Sequence, residues 1–160
     1  MSTADAVLGA IPALSGAKPH ILLIRAPYYR AIVDGMTQSA LSILAQAQAT
    51  HHSIDVAGAY ELPQALRLAL RGTQYFDGYI ALGCVVRGET DHYDFICHAA
   101  MTGLMQVSTQ FGLAVGTALL TVDTIAQAEA RSAETGPNKG AEAAIACLRQ
   151  IAIARELGAA

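Results

Sequence analysis

His92 is the side chain of this sequence best suited to moving protons. An imidazole with an ordinary pKa of about 6.5 both donates and accepts near neutrality, and His92 closes the run Gly88-Glu89-Thr90-Asp91-His92. Gly88, Glu89 and Thr90 lie between an apolar run and a helical stretch. Their N–H groups would meet the positive end of a helix dipole, an arrangement that takes a phosphate monoester. The same residues also read as a glycine turn with Thr90 as helix N-cap, and His92 as a surface histidine; its nearness to the loop favours the functional reading. Tyr28 and Tyr60 each follow a candidate strand, where a ring either stacks on a heterocycle or caps the core. Glu61 either caps a helix start or accepts hydrogen bonds from ligand hydroxyls. Arg131 and Lys139 bracket a turn containing Gly136 and Pro137 and, taken alone, read as solvated cations. Cys97 with His98, and His51 with His52, lack a second cluster at metal-ligand spacing, so no metal site is expected and His98 reads as a packed or interface residue. Neither G-x-x-x-x-G-K-S/T nor G-x-G-x-x-G is present. A nucleoside triphosphatase or dinucleotide enzyme loses most of its support.

The elements that must hold these residues follow from the apolar spacing. Residues 20–25 form a continuous apolar run of buried-strand type, ended by Pro27. Across 29–50, Ile32, Val33, Met36, Ala40, Ile43, Leu44 and Ala47 mark one face of an amphipathic helix. A short strand over 53–56 closes at Gly58, and a helix over 62–71 carries Pro63 in its first turn and Gly72 as its stop. Residues 79–86 read as a buried strand, 92–111 as a long helix and 113–121 as the next strand. Asp123 is the expected cap of a helix over 124–131, and Asn138 opens a last helix to residue 157. Strand and helix alternate throughout. The pattern predicts an α/β fold: a three-layer α/β/α sandwich with a doubly wound, parallel, four-stranded, flavodoxin-like sheet in which the second strand lies beside the first. Such sheets bind ligands beyond the carboxyl ends of their strands. That rule selects residues 26–28, 57–61, 85–92 and 121–124.

Composition bounds the remaining classes. The chain has 160 residues, 53% hydrophobic and 14% charged, against roughly 25% charged in an average domain. This excludes disorder and points to an oligomer whose surface is partly covered. A net charge of −3 without a basic block argues against nucleic-acid and anionic-membrane partners. Residues 95–122 contain no Asp, Glu, Lys or Arg, but Gln106, Ser108, Thr109, Gln110 and Gly112 interrupt them, so no membrane span is expected. Residues 1–17 carry no Lys or Arg and do not read as a secretory signal. Cys84, Cys97 and Cys147 cannot all pair with one another. Reduced thiols and a cytoplasmic location are the expectation.

Four segments carry a resemblance: Ala59-Tyr60-Glu61-Leu62-Pro63, Leu82-Gly83-Cys84-Val85-Val86-Arg87-Gly88-Glu89-Thr90-Asp91-His92-Tyr93-Asp94, Leu120-Thr121-Val122-Asp123-Thr124-Ile125-Ala126-Gln127-Ala128 and Asn138-Lys139-Gly140. In order and spacing they resemble the signature segments of the 6,7-dimethyl-8-ribityllumazine synthases of riboflavin biosynthesis, in register over residues 20–157. The resemblance implies a transferase that condenses 5-amino-6-(D-ribitylamino)uracil with 3,4-dihydroxy-2-butanone 4-phosphate, without metal or organic cofactor. By the same resemblance, His92 transfers protons, and Gly88, Glu89 and Thr90 hold the phosphate with Arg131 of a neighbouring subunit. Tyr28 stacks on the pyrimidine, Ala59, Tyr60 and Glu61 bind the ribityl chain, and the backbone of Val85 and Val86 reads the uracil edge. Lys139 approaches that ring from the adjacent subunit.

The resemblance further implies a single domain over 1–160, with residues 1–18 as an arm packed on a neighbour, and riboflavin synthase as a partner enzyme. Three departures stand out. Pro27 replaces a frequent Arg and stiffens its loop; Thr117 stands where many members place a Phe that joins the neighbour's site; and the turn over 132–137 lacks the Gly-Lys character of shell-forming members. A homopentamer is therefore expected, rather than an icosahedral shell. The rival is a non-catalytic flavin- or lumazine-binding or scaffold member of the same fold. His92, Glu89, Thr90, Arg131 and Lys139 together argue against it, since binding alone needs no proton shuttle.

Overall fold

The computed structural model describes residues 8–159. Its strands are β1 (His20–Ala26), β2 (Thr50–Asp55), β3 (Gly78–Val86) and β4 (Val115–Val122), all parallel and ordered β2-β1-β3-β4. The helices are α1 (Arg30–Gln46), α2 (Leu62–Ala69), α3 (His92–Phe111), α4 (Ile125–Ser132) and α5 (Lys139–Glu156). Single 3-10 turns, Pro27–Tyr29 and Ala59–Glu61, lead into α1 and α2.

The apolar run of β1 is continuous because both of its faces are covered. Ile21 and Leu23 pack with α1, α4 and α5, while Leu22 and Ile24 pack with α2 and α3. Alternation along a strand thus builds two cores from one sheet, giving the expected three layers.

Helix α5 lies close to its neighbours through glycine. A Cβ on Gly116 would overlap the Ala143 carbonyl, and one on Gly140 would overlap the carbonyl of Met36 in α1. On Gly78 it would stand 2.5 Å from the Cys147 sulfur. Helix α3 is the opposite case: of its residues only Ala100 and Leu104 are fully buried, and Phe95, Met101 and Met105 are exposed. Among the described residues, no helix is long and apolar enough to cross a membrane.

Several boundaries differ from the sequence expectation. Strand β2 begins at Thr50 and so contains His51 and His52. These are exposed on an edge strand that registers on β1 through its backbone (His20 opposite Thr50), and no apolar pattern announces them. Helix α1 accordingly ends at Gln46, and Gln48 takes a left-handed φ of 57°. Helix α2 stops at Ala69 and β4 starts at Val115. Thr124, rather than Asp123, caps α4, its hydroxyl accepting from the Gln127 N–H at 3.3 Å. Of the expected arm, residues 1–7 lie outside the described residues. Ile11 and Leu14 pack against the core of their own chain, and Arg149 and Arg155 donate to the carbonyls of Ala10 and Ser15.

Candidate active site

Strand β3 outruns β1. Their pairing stops at Gly83 opposite Ala26, whereas pairing with β4 continues to Val86 opposite Val122. Beyond that point the β1 side of β3 has no strand partner among the described residues, so backbone donors and acceptors there are open to a ligand. A cavity of about 680 Å³ lies over this step. It is lined by Tyr28, Ala59, Tyr60, Glu61, Val85, Val86 and His92, together with Tyr29, Gly58, Cys84 and Ile96.

Local structure explains each placement. Pro27 opens the 3-10 turn that leaves Tyr28 77% exposed, edge-on to Tyr29 with ring centroids 5.1 Å apart. The turn over Ala59–Glu61 buries Ala59 and presents Tyr60 outward. The Glu61 carboxylate turns back toward Gly58, where an added Cβ would lie 3.3 Å from Oε2. His92 is the first residue of α3 and exposed. Cys84 forms part of the cavity wall, but burial first, then its neighbour Cys97, pushes its thiol up to about 11. It is protonated near neutrality, so it offers no thiolate nucleophile. Among the described residues, no group of three or more His, Cys, Asp or Glu could hold a metal ion.

The N-cap position of α3 is Asp91, not Thr90, and it makes no side-chain capping bond. The helix start is anchored through Arg87 instead. Its Nη1 and Nη2 donate to the two Asp94 carboxylate oxygens at 3.1 Å each, and its Nε to Asp123 at 3.1 Å. The guanidinium also lies 4.1 Å from the centre of the Tyr93 ring. Hydrogen bonds to Asp94, then Asp123, raise the Arg87 pKa further, and the same contact holds the Asp94 carboxyl below its usual range. No sequence signal singled out Arg87, because its acceptors sit seven and thirty-six positions away.

Gly88, Glu89 and Thr90 are exposed and line neither this cavity nor the one described next. Glu89, Asp91, Asp94 and Asp123 outnumber Arg87 around the loop. A phosphate bound there would need cations from elsewhere.

A second cavity of about 370 Å³ lies between β4, the last turn of α4 and the start of α5, and the two cavities share no lining residue. Thr117, Arg131 and Lys139 line this second space. Lys139 pairs with Glu142 at 2.6 Å, and Arg131 donates to the Gln127 carbonyl at 2.8 Å. Within one chain, then, the sequence-predicted residues divide: Tyr28, Ala59, Tyr60, Glu61, Val85, Val86 and His92 meet, while Thr117, Arg131 and Lys139 meet separately.

A doubly wound α/β sandwich with an open cavity at the carboxyl ends of its strands, a histidine at its mouth and no activated nucleophile in its wall defines a class of small-molecule-binding α/β protein. The comparisons narrow it. The family model for 6,7-dimethyl-8-ribityllumazine synthase matches residues 18–155. A protein of that name from Bartonella tribocorum is 39% identical over 141 residues, covering 88% of this chain and 93% of the relative. Those from Paramagnetospirillum magneticum (40% over 144 residues, 86% of this chain and 96% of the relative) and Methylobacterium radiotolerans (42% over 144 residues, 90% and 86%) agree. The chain belongs to the 6,7-dimethyl-8-ribityllumazine synthase family.

Proposed function

We propose that this chain condenses 5-amino-6-(D-ribitylamino)uracil with 3,4-dihydroxy-2-butanone 4-phosphate, forming 6,7-dimethyl-8-ribityllumazine and releasing phosphate and water. The observation that carries the reading is the cavity at the β1–β3 step, where Tyr28, Tyr60, Glu61 and His92 face unpaired strand backbone. The attacking group is the amine of the pyrimidine, so the protein needs to orient two substrates and move protons rather than supply a nucleophile. Tyr28 stacks on the pyrimidine, Ala59 to Glu61 take the ribityl hydroxyls, and Val85 and Val86 bond the uracil edge. His92 transfers protons during imine formation and loss of phosphate. Gly88, Glu89 and Thr90 hold that phosphate at the uncapped start of α3.

The same reading completes the site with a second subunit. The region around residues 87–91 is acidic, and the cations of Arg131 and Lys139 lie in the other cavity. A head-to-tail ring brings the two together and covers the exposed face of α3. We assign the ring as a homopentamer, with Thr117 meeting the neighbour's pyrimidine. Riboflavin synthase, which consumes the lumazine, is the partner enzyme in this scheme. The three free cysteines, two of them buried, support a reducing, cytoplasmic setting.

The test is direct. Incubated with both substrates, the protein is expected to produce lumazine absorbance and inorganic phosphate together. Riboflavin binding without turnover would overturn the enzymatic reading in favour of a non-catalytic member of the fold.

A further inference from the structure

The second cavity takes its cations from two different elements, Arg131 from the last turn of α4 and Lys139 from the first residue of α5. An exposed turn, residues 133–136, joins them. One side chain spans that turn. Asn138 is 4% exposed, and its amide is fully engaged on both sides. Its Oδ1 accepts from the N–H groups of Gly140 at 2.8 Å and Ala141 at 3.4 Å, capping α5. Its Nδ2 donates to the carbonyls of Ser132 at 2.7 Å and Ala133 at 3.0 Å, closing α4, and reaches the Gly35 carbonyl of α1 at 3.4 Å.

Glycines show how tightly the same junction is built. A Cβ on Gly35 would stand 2.6 Å from the Ser132 carbonyl oxygen, and one on Gly140 would overlap the Met36 carbonyl. Backbones of three helices therefore meet around one buried amide, with no side chain interposed. A cap needs only an acceptor. The donor half of Asn138 does something else: it ties the end of the Arg131 helix to the start of the Lys139 helix.

We propose that Asn138 is a positioning residue that sets the separation of Arg131 and Lys139, and through it the fit of the phosphate-bearing substrate. The inference rests on the reading of Arg131 as a phosphate ligand. Asn138→Asp is the discriminating change, because it keeps an acceptor for α5 and turns the donor into an oxygen facing carbonyl oxygens. Lys139 should stay in place while the end of α4 is released. KM for the butanone phosphate is expected to rise by about tenfold or more, the loss of one charge-assisted hydrogen bond. KM for the pyrimidine is expected to stay within about twofold. Asn138→Ser, whose shorter side chain keeps an acceptor for α5 but gives up the amide's reach to the Ser132 and Ala133 carbonyls without burying a charge, serves if the Asp variant does not fold. Leu66→Ala, on the opposite core and in neither cavity, controls for destabilisation and should change Tm with both KM values unmoved.

A variant of Asn138 that lowers Tm and leaves both KM values unchanged, or raises them equally, would reduce Asn138 to a helix cap and overturn the proposal. Arg131→Ala measured alongside separates the layers. If it raises KM for the phosphate and the Asn138 variants do not, the inference alone falls. If it leaves that KM unchanged, the reading of Arg131 falls and takes the inference with it.

Discussion

Two variants that are each nearly inactive should regain activity when mixed in one ring. His92 and Arg131 line separate cavities of the same chain, about 680 and 370 Å³, with no wall in common. A site assembled across an interface takes His92 from one subunit and Arg131 from the next. Let His92→Ala and Arg131→Ala chains be unfolded together in equal amounts and reassembled. The first kind lacks the histidine and keeps the arginine; the second kind is the reverse. A site is whole only when the histidine-giving position holds an Arg131→Ala chain and its neighbour holds a His92→Ala chain. With random placement in a closed ring, that is one half times one half, so about a quarter of the sites are whole. Lumazine formation per subunit should therefore reach about a quarter of the unmodified rate, against a background near zero for either parent. Native mass spectrometry confirms mixing. Mixed rings no more active than their parents would refute the argument and place the whole site within one chain.

His92→Ala alone should lower kcat by about 10²–10⁴-fold while KM moves far less, and an unchanged kcat would remove its proton-transfer role. Arg87→Lys keeps the charge but loses the two-pronged grip on Asp94. The start of α3 should then loosen and kcat should drop about tenfold with little change in Tm; the reverse pattern would make Arg87 a stability residue. Gly140→Ala drives a methyl into the Met36 carbonyl and should cost about 1–3 kcal/mol in denaturant titration, which a neutral result would contradict. Burial pushes the thiols of Cys84 and Cys147 up to about 11 and about 12 from an ordinary 9.0. The folded chain then keeps protons that the unfolded chain sheds above pH 9, so this contribution is whole below pH 9 and is lost as the pH climbs toward 11–12. Tm measured from pH 8 to 11 should fall, and fall less steeply in Cys147→Ala; parallel curves would show that another group governs the alkaline limit.

What the sequence discloses is what side-chain burial or a local signal encodes. The β1 run has both faces covered, and the α3 boundaries at His92 and Phe111 are marked by a strand-to-helix loop and by Gly112, whose φ of 62° ends the helix. The start of β2 stays hidden because Thr50, His51 and His52 are held by backbone pairing alone. Thr90 and Asp123 look like caps by type. The tertiary demands of Arg87 take Asp123 away from that task, and the helix start is anchored through Asp94 without a cap. For the site, residue types and the four segments bring out His92, Tyr28 and Glu61. That Arg131 and Lys139 belong to a different cavity depends on how α4 and α5 cross β4, which no local spacing encodes. The donor half of Asn138 is equally invisible, since its acceptors are carbonyls any residue could supply.

The glycine contacts of α5 also decide where this protein is able to move. Helices that pack through interleaved side chains slide by small rotamer changes, the basis of shear motion. Helix α5 rests on β4, β3 and α1 at Gly116, Gly78 and Gly140, leaving little or no room for a methyl group, and its Ile145, Cys147, Leu148 and Ile151 are locked into the core beside those contacts, so it has little freedom to shear. Lys139, at its first residue, is carried on a fixed rail. Freedom to adjust is left instead to the exposed loop at Gly88, where an added Cβ meets open space, and to the turn that carries the exposed Tyr28 ring.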